Sequence, residues 1–404
     1  MGDIESVPAR TTATLDIVNG DLIVGEYASI KGTGTPPTAK VSGTVYCDGN
    51  NTFHCNLAAE NLEAEGDVTI HGDLEVSHSV DVEDGHLEVD GRMTAKHVDV
   101  DEILLVKKEL VSDEIDVGGS LKAEASVTAQ DIDVGGSFRA EGEVKSEKID
   151  IGGILTIESK ADVKILDVGG TARVQGGKIV EIDVGGSFES IDQLEFENMD
   201  VGGTVRLCNK NKGHKIDVGG SFKVEGDLTF TEIDVGGKVE ITGSGEGNEV
   251  NIGGKLEIGN TLKLQGNLEV GGKVDIGGEL SAKNIEVGGV LNAKKASAED
   301  HVEVGGSIKT NEGVTAQVVE IGNNGEVHGP IKAEQVYVGK EALVEDILGK
   351  QILLRNGASA GNVYGENITI EAHCRINGEI HYINELSIAD HVSLAKAPQK
   401  VEKL

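Results

Sequence analysis

The chain has 404 residues, with 70 Asp and Glu against 36 Lys and Arg and a net charge of −34. That balance argues against nucleic acid as a partner and against an electrostatic grip on anionic membranes. No apolar run is long enough for a membrane span or a secretory signal.

Residues 1–14 read as a polar tail. The opening Met1-Gly2-Asp3-Ile4-Glu5-Ser6 formally fits a myristoylation pattern, but one short enough to arise by chance. Apolar residues then come in pairs two apart, the alternation of a strand rather than of a helix. The first pairs are Leu15 with Ile17, Leu22 with Val24, and Ala28 with Ile30. A loop rich in Gly, Thr and Pro, residues 31–40, interrupts them. Residues 46–56 (YCDGNNTFHCN) hold two cysteines and a histidine, but no Cys-x-x-Cys spacing supports a zinc site. Cys47 and Cys55 would pair only if apposed. With Cys208 and Cys374 they show no framework spacing, which fits isolated thiols in a cytosolic protein. From Val68 to Val100 the pairs resume in steps of five to seven residues.

Residues 115–322 repeat the string Ile-Asp-Val-Gly-Gly or a close variant. Its first glycine falls at Gly118, Gly135, Gly152, Gly169, Gly185, Gly202, Gly219, Gly236, Gly253, Gly271, Gly288, Gly305 and Gly322. Every step is 17 residues except one of 16 after Gly169 and one of 18 after Gly253. So short a fixed period marks a solenoid, whose repeats bury a core only by stacking. In the copy at residues 216–232 the pairs are Ile216 and Val218, Phe222 and Val224, and Leu228 and Phe230. Three short strands separated by three corners follow, with six side chains pointing inward.

The predicted fold is therefore all-β: a single-stranded parallel β-helix with about 17 residues per coil. Gly219, Gly220 and Gly226 mark corners, where glycine's tolerance of positive φ is the expected reason for its use. Only five prolines occur, as coil-to-coil N–H bonding requires. Phe138, Phe188 and Phe222 share one repeat position and are expected in one interior column. Six inward residues at about 1.5–3 kcal/mol each give a coil on the order of 10 kcal/mol before the entropy of ordering.

Downstream, Ile331 and Ala333, Val336 and Val338, Ala342 and Val344, Ile368 and Ile370, Leu386 and Ile388, and Val392 and Leu394 continue the grammar. One solenoid over residues 15–395 is expected, in stretches 15–114, 115–322 and 323–395, with a polar tail at 396–404. At roughly 4.8 Å per coil it would form a rod on the order of 100 Å long. Neither tail contains an amphipathic helix to cap it. Open end coils template the addition of another chain. The candidate polymerisation residues are therefore Leu15, Ile17, Leu22 and Val24 at one end, and Leu386, Ile388, Val392 and Leu394 at the other.

No catalytic or cofactor-binding residue is expected. The Gly-Gly corners lack a following Gly-Lys-Ser or Gly-Lys-Thr and a strand–loop–helix context, so no nucleotide is expected. The modest loops build no cleft of the kind β-helical lyases need. Histidines crowd early (His71, His78, His86, His97) and late (His373, His381, His391) and read as surface groups. One repeat position is acidic throughout: Asp116, Asp133, Asp150, Asp167, Asp183, Asp200, Asp217 and Asp234. Asn251, Glu269, Glu286, Glu303 and Glu320 follow. Stacked in a line, such groups either recruit divalent cations or form a solvated face screened by salt. A single row lacks the converging ligands of a calcium cage.

Residues 327–339 (VHGPIKAEQVYVG), Ala342-Leu343-Val344 and residues 361–371 (GNVYGENITIE) resemble bactofilin-type, polymer-forming cytoskeletal proteins. The shared element is short apolar pairs with glycine beside each corner. The resemblance implies a right-handed β-helix that assembles head to tail into filaments without nucleotide. It also implies a cytoplasmic scaffold, often beneath the membrane, that positions membrane-associated or envelope proteins. This chain is longer than a typical member. Its last phenylalanine is Phe230 and its N-terminus is polar, so the family's membrane tail and terminal phenylalanine have no counterpart. The competing reading is a non-polymerising solenoid used as an interaction or surface scaffold.

Overall fold

The most regular coils are built from three short strands and three corners, while elsewhere longer strands such as Ile154–Val168, Thr171–Val184 and Lys295–Val304 run through a corner. A computed structural model describes residues 3–208 and 210–403, and among them there is no helix. Two compact units result, Met1–Gly202 and Gly203–Leu404, each a parallel β-solenoid. In the first unit, Glu114–Val117, Ser120–Ala123 and Val127–Thr128 form one coil. All three pair in parallel with the next coil at an offset of 17 residues, as in Ile115↔Ile132, Leu121↔Phe138 and Val127↔Val144. In the second unit, Ile216↔Ile233, Phe222↔Val239 and Leu228↔Gly245 repeat the pattern.

The period-two alternation sets what is buried. Ile216, Val218, Phe222, Val224, Leu228 and Phe230 are all buried, as their spacing predicts. Phe138 and Phe188 occupy one interior column and are separated in it by Leu155 and Ala172. Phe222 holds the same position in its own unit, beside Val205. At Phe230 the neighbouring coil is thinned to glycine. Phe230 lies against Gly245 and Gly247, and a Cβ on Gly247 would overlap the ring.

The repeated Gly-Gly corners hold glycine for a reason other than the one expected. Gly226 does have a positive φ of 127°. Among the described residues none of the glycines of the repeated Gly-Gly corner, Gly118 and Gly119 among them, does. Their constraint is proximity: a Cβ on Gly135 would overlap the carbonyl oxygen of Gly118, and one on Gly152 that of Gly135. The backbone ladder continues through this corner, with Gly135 N–H donating to Val117 O and Gly136 N–H to Gly119 O. Outside the strict repeat the same corner is a left-handed residue instead, at Arg10, Tyr27 and Asn50 early and at Asn324, Glu341, His373 and His391 late.

Irregular coil lengths are absorbed at corners. The 16-residue step shifts the register between Ile157 and Lys160, opposite Gly176 and Gly177, both with positive φ. The 18-residue step falls between Leu264, still paired at 17 with Gly247, and Leu268, paired at 18 with Val250. The core columns on either side stay aligned.

Strands extend beyond the expected limits. Asp3–Val7 pairs with Gly20–Val24, and Gln399–Lys400 pairs with His381 and Tyr382, so neither polar segment is simply a tail. Leu22 and Val24 accordingly lie one coil inside and are fully buried. Ile17 is not an inward partner of Leu15: it is 61 % exposed, and Val18 takes the core position because the chain turns a corner between the two. Ala333 is half-buried rather than in the core, in a column with Ala316 and Gly349.

Candidate functional surfaces

Outward positions stack as regularly as inward ones, so each face carries columns of like residues. The acidic column forms as the repeat predicts. In the first unit the register runs Asp116↔Asp133↔Asp150↔Asp167↔Asp183↔Asp200, and it extends back through Asp99 and Asp81 to Glu63. In the second unit it runs Asp217↔Asp234↔Asn251↔Glu269↔Glu286↔Glu303↔Glu320. Asp99, Asp133 and Asp167 have their pKa values raised, first by partial desolvation and then by the aspartates of neighbouring coils. Lys148, which contacts Asp150 at 3.3 Å, relieves part of this at Asp133 and Asp167.

The next face of the second unit reverses the electrostatics. Lys238, Lys255 and Lys273 follow successive Gly-Gly corners, each with Glu240, Glu257 or Asp275 two residues on. The lysines bridge both along the strand and across coils: Lys238–Glu240 at 2.9 Å, Lys238–Glu257 at 2.5 Å, Lys255–Asp275 at 3.5 Å and Lys273–Asp275 at 2.8 Å. Lys255 also meets Glu257, and Lys223 reaches Glu240 at 3.4 Å. Hydrogen bonds that Lys238 donates to Glu257 and Glu240 raise its pKa to about 12. Glu240 and Glu257 are held below the usual range by their lysines. For Asp275, burial would raise the pKa, but Lys273, Asn292 and Lys255 together hold it low.

The cysteine–histidine segment does not converge. Cys47 and Cys55 point into the core as free thiols whose pKa values burial raises, while His54 is exposed and stacks on His71 at 5.2 Å. Several histidines pair with single carboxylates, His71 with Asp90 at 2.7 Å and His97 with Glu114 at 3.0 Å. A shallow hollow of about 180 Å³ gathers Asp48, Glu63, Glu65, Asp81 and Glu83 around Tyr46. A second, of about 450 Å³, is lined by Ala316, Ala333 and Gly349 together with Lys332, Lys350, Lys403, Glu334 and Glu366.

No family model, curated protein or solved structure matches the chain. The surfaces must therefore be read from their own chemistry.

Among the candidate end residues, Leu15, Leu22 and Val24 are buried, and Ile17 faces outward. The other four behave differently. Leu386, Val392 and Leu394 are half-buried and Ile388 is 38 % exposed, although their columns are sealed one coil back at Ile368, Ile370, Cys374 and Ile376. Residues the periodicity did not single out are the lysines of the ion-pair ribbon and His301, whose imidazole lies beside Glu303 and Glu320. Among the described residues no helix is long and apolar enough to cross a membrane.

Proposed function

We propose that this protein is a non-enzymatic structural scaffold that self-assembles head to tail, without nucleotide, through coil-end contacts. The observation that carries this reading is the open coil at Leu386, Ile388, Val392 and Leu394, where apolar core columns reach the surface. Partly exposed apolar side chains beside a free strand edge favour the addition of another chain. The coil starting at Asp3 has Val7, Leu15 and Val18 buried in its core columns, with the exposed Glu5 in register with Leu22. Glu5 weakens that surface, because burying its carboxylate is costly. The resemblance of residues 327–339 and 361–371 to bactofilins supports the same reading, with a cytoplasmic, membrane-proximal role and envelope proteins as clients.

Negative-stain electron microscopy of the purified chain without nucleotide tests it. Unbranched filaments are expected from the wild type, none from Leu394→Asp, and longer ones from Glu5→Gln. Loss of filaments in Leu394→Asp with no response to Glu5→Gln would keep the Leu394 coil in the contact and move its partner surface away from Glu5. Discrete particles under all conditions would leave the non-polymerising scaffold.

A further inference from the structure

We propose that His301, Glu303 and Glu320 form a binding site for a divalent transition-metal ion of the zinc type. The site lies within the second unit and is independent of the scaffold reading.

Strand geometry brings the three together. His301 and Glu303 are two apart in Lys295–Val304, so both project from the same side. Glu320, in Val314–Ile321, is in register with Glu303 one coil on. One ligand atom from each lies within 4.8 Å of the other two, and His301 Nε2 is 3.7 Å from Glu303 Oε2. Ligands about 2.1 Å from a tetrahedral zinc stand about 3.4 Å apart, so the triad needs only a modest closing. His301 and Glu320 are half-buried. Among the described residues neither glutamate has a lysine or arginine ion pair, and the further carboxylate of Glu286 stands in register with Glu303.

The neighbouring column explains why this histidine differs from His97. His97 has the same relation to Asp99 and Asp116, but its own column places Glu114 beside it, which takes Nδ1 at 3.0 Å. His301 is flanked in its column by Asn284 and Val318, and Asn284 is engaged with Asn267 at 2.9 Å. The imidazole is left to the acidic column. There glutamate, longer by a methylene than aspartate, reaches around to a shared point. One nitrogen and two carboxylates suit zinc, whereas calcium and magnesium prefer all-oxygen shells. An ion here would relieve repulsion between stacked carboxylates and tie two coils together.

The test is calorimetric titration of the full chain with ZnCl2 in excess Mg²⁺, with visible absorption of the Co²⁺-substituted protein reporting nitrogen coordination. One ion per chain is expected. His301→Ala and Glu320→Gln should each weaken it about tenfold or more, while Asp133→Asn leaves it unchanged. All these side chains face outward, and circular dichroism verifies that each variant is folded. Absence of binding overturns the proposal. So does binding of several ions displaced by Mg²⁺, or affinity unchanged in His301→Ala.

Discussion

A corner glycine and a ladder aspartate show how a stacked fold changes the meaning of a residue. Gly135 is required by the oxygen of Gly118 a coil away, not by its own backbone angles. Gly135→Ala should therefore destabilise the first unit by about 1–3 kcal/mol, the usual cost of overpacking, read as a lower denaturation midpoint. Asp133 carries the opposite burden, since its folded pKa lies above the ordinary value of 3.8. A raised folded pKa means the folded state holds its proton more tightly, so this group opposes folding at neutral pH. The opposition fades as pH falls through the raised value towards 3.8. Asp133→Asn should raise the melting temperature at pH 7, and the gain should shrink with acidification across that window. An unchanged melting temperature at pH 7 would show that solvent and salt already neutralise the ladder. The inward residues were legible from alternation alone. Ile17 was misread because a corner falls between it and Leu15, and pair spacing does not reveal a corner.

At the scale of the strand, the ribbon around Lys255 answers the acidic column. Glu240, Glu257 and Asp275 have depressed folded pKa values, so their stabilisation is present at neutral pH and is lost as pH falls through those values. Lys255→Met removes a partner from both Glu257 and Asp275. It should lower the melting temperature at low ionic strength, with the deficit closing in high salt. A deficit indifferent to salt would assign the loss to packing of the lysine stem instead. The repeats KVEI, KLEI and KVDI are visible in the sequence, but the bonds that matter join residues 19 and 20 apart, Lys238 to Glu257 and Lys255 to Asp275. Coil register had to be known first. His301 was hidden for the same reason, its partner Glu320 lying 19 residues away.

Over the whole molecule, a net charge of −34 bears on the proposed assembly. If copies assemble as proposed, lateral repulsion between like-charged faces should favour contact through the apolar coil at Leu386–Leu394, and salt should promote assembly by screening that repulsion. The solenoid class was legible because a 17-residue period repeats more than ten times. Its working surfaces were less so, because every outward column is compatible with a stack and only the neighbouring columns give it chemistry.

The corners that absorb one residue more or less also make each coil an interchangeable unit of inheritance. Removing residues 119–135 would join Gly118 to Gly136 and restore Val-Gly-Gly-Ser at the junction. Every core column would close over the gap, since Leu104 and Phe138 both pair with Leu121. Such a deletion should fold with unchanged circular dichroism and a similar midpoint, whereas removing half as many residues should not fold at all. Unequal recombination between repeats would then adjust the number of coils in whole steps, leaving gene length free to drift while the fold is kept.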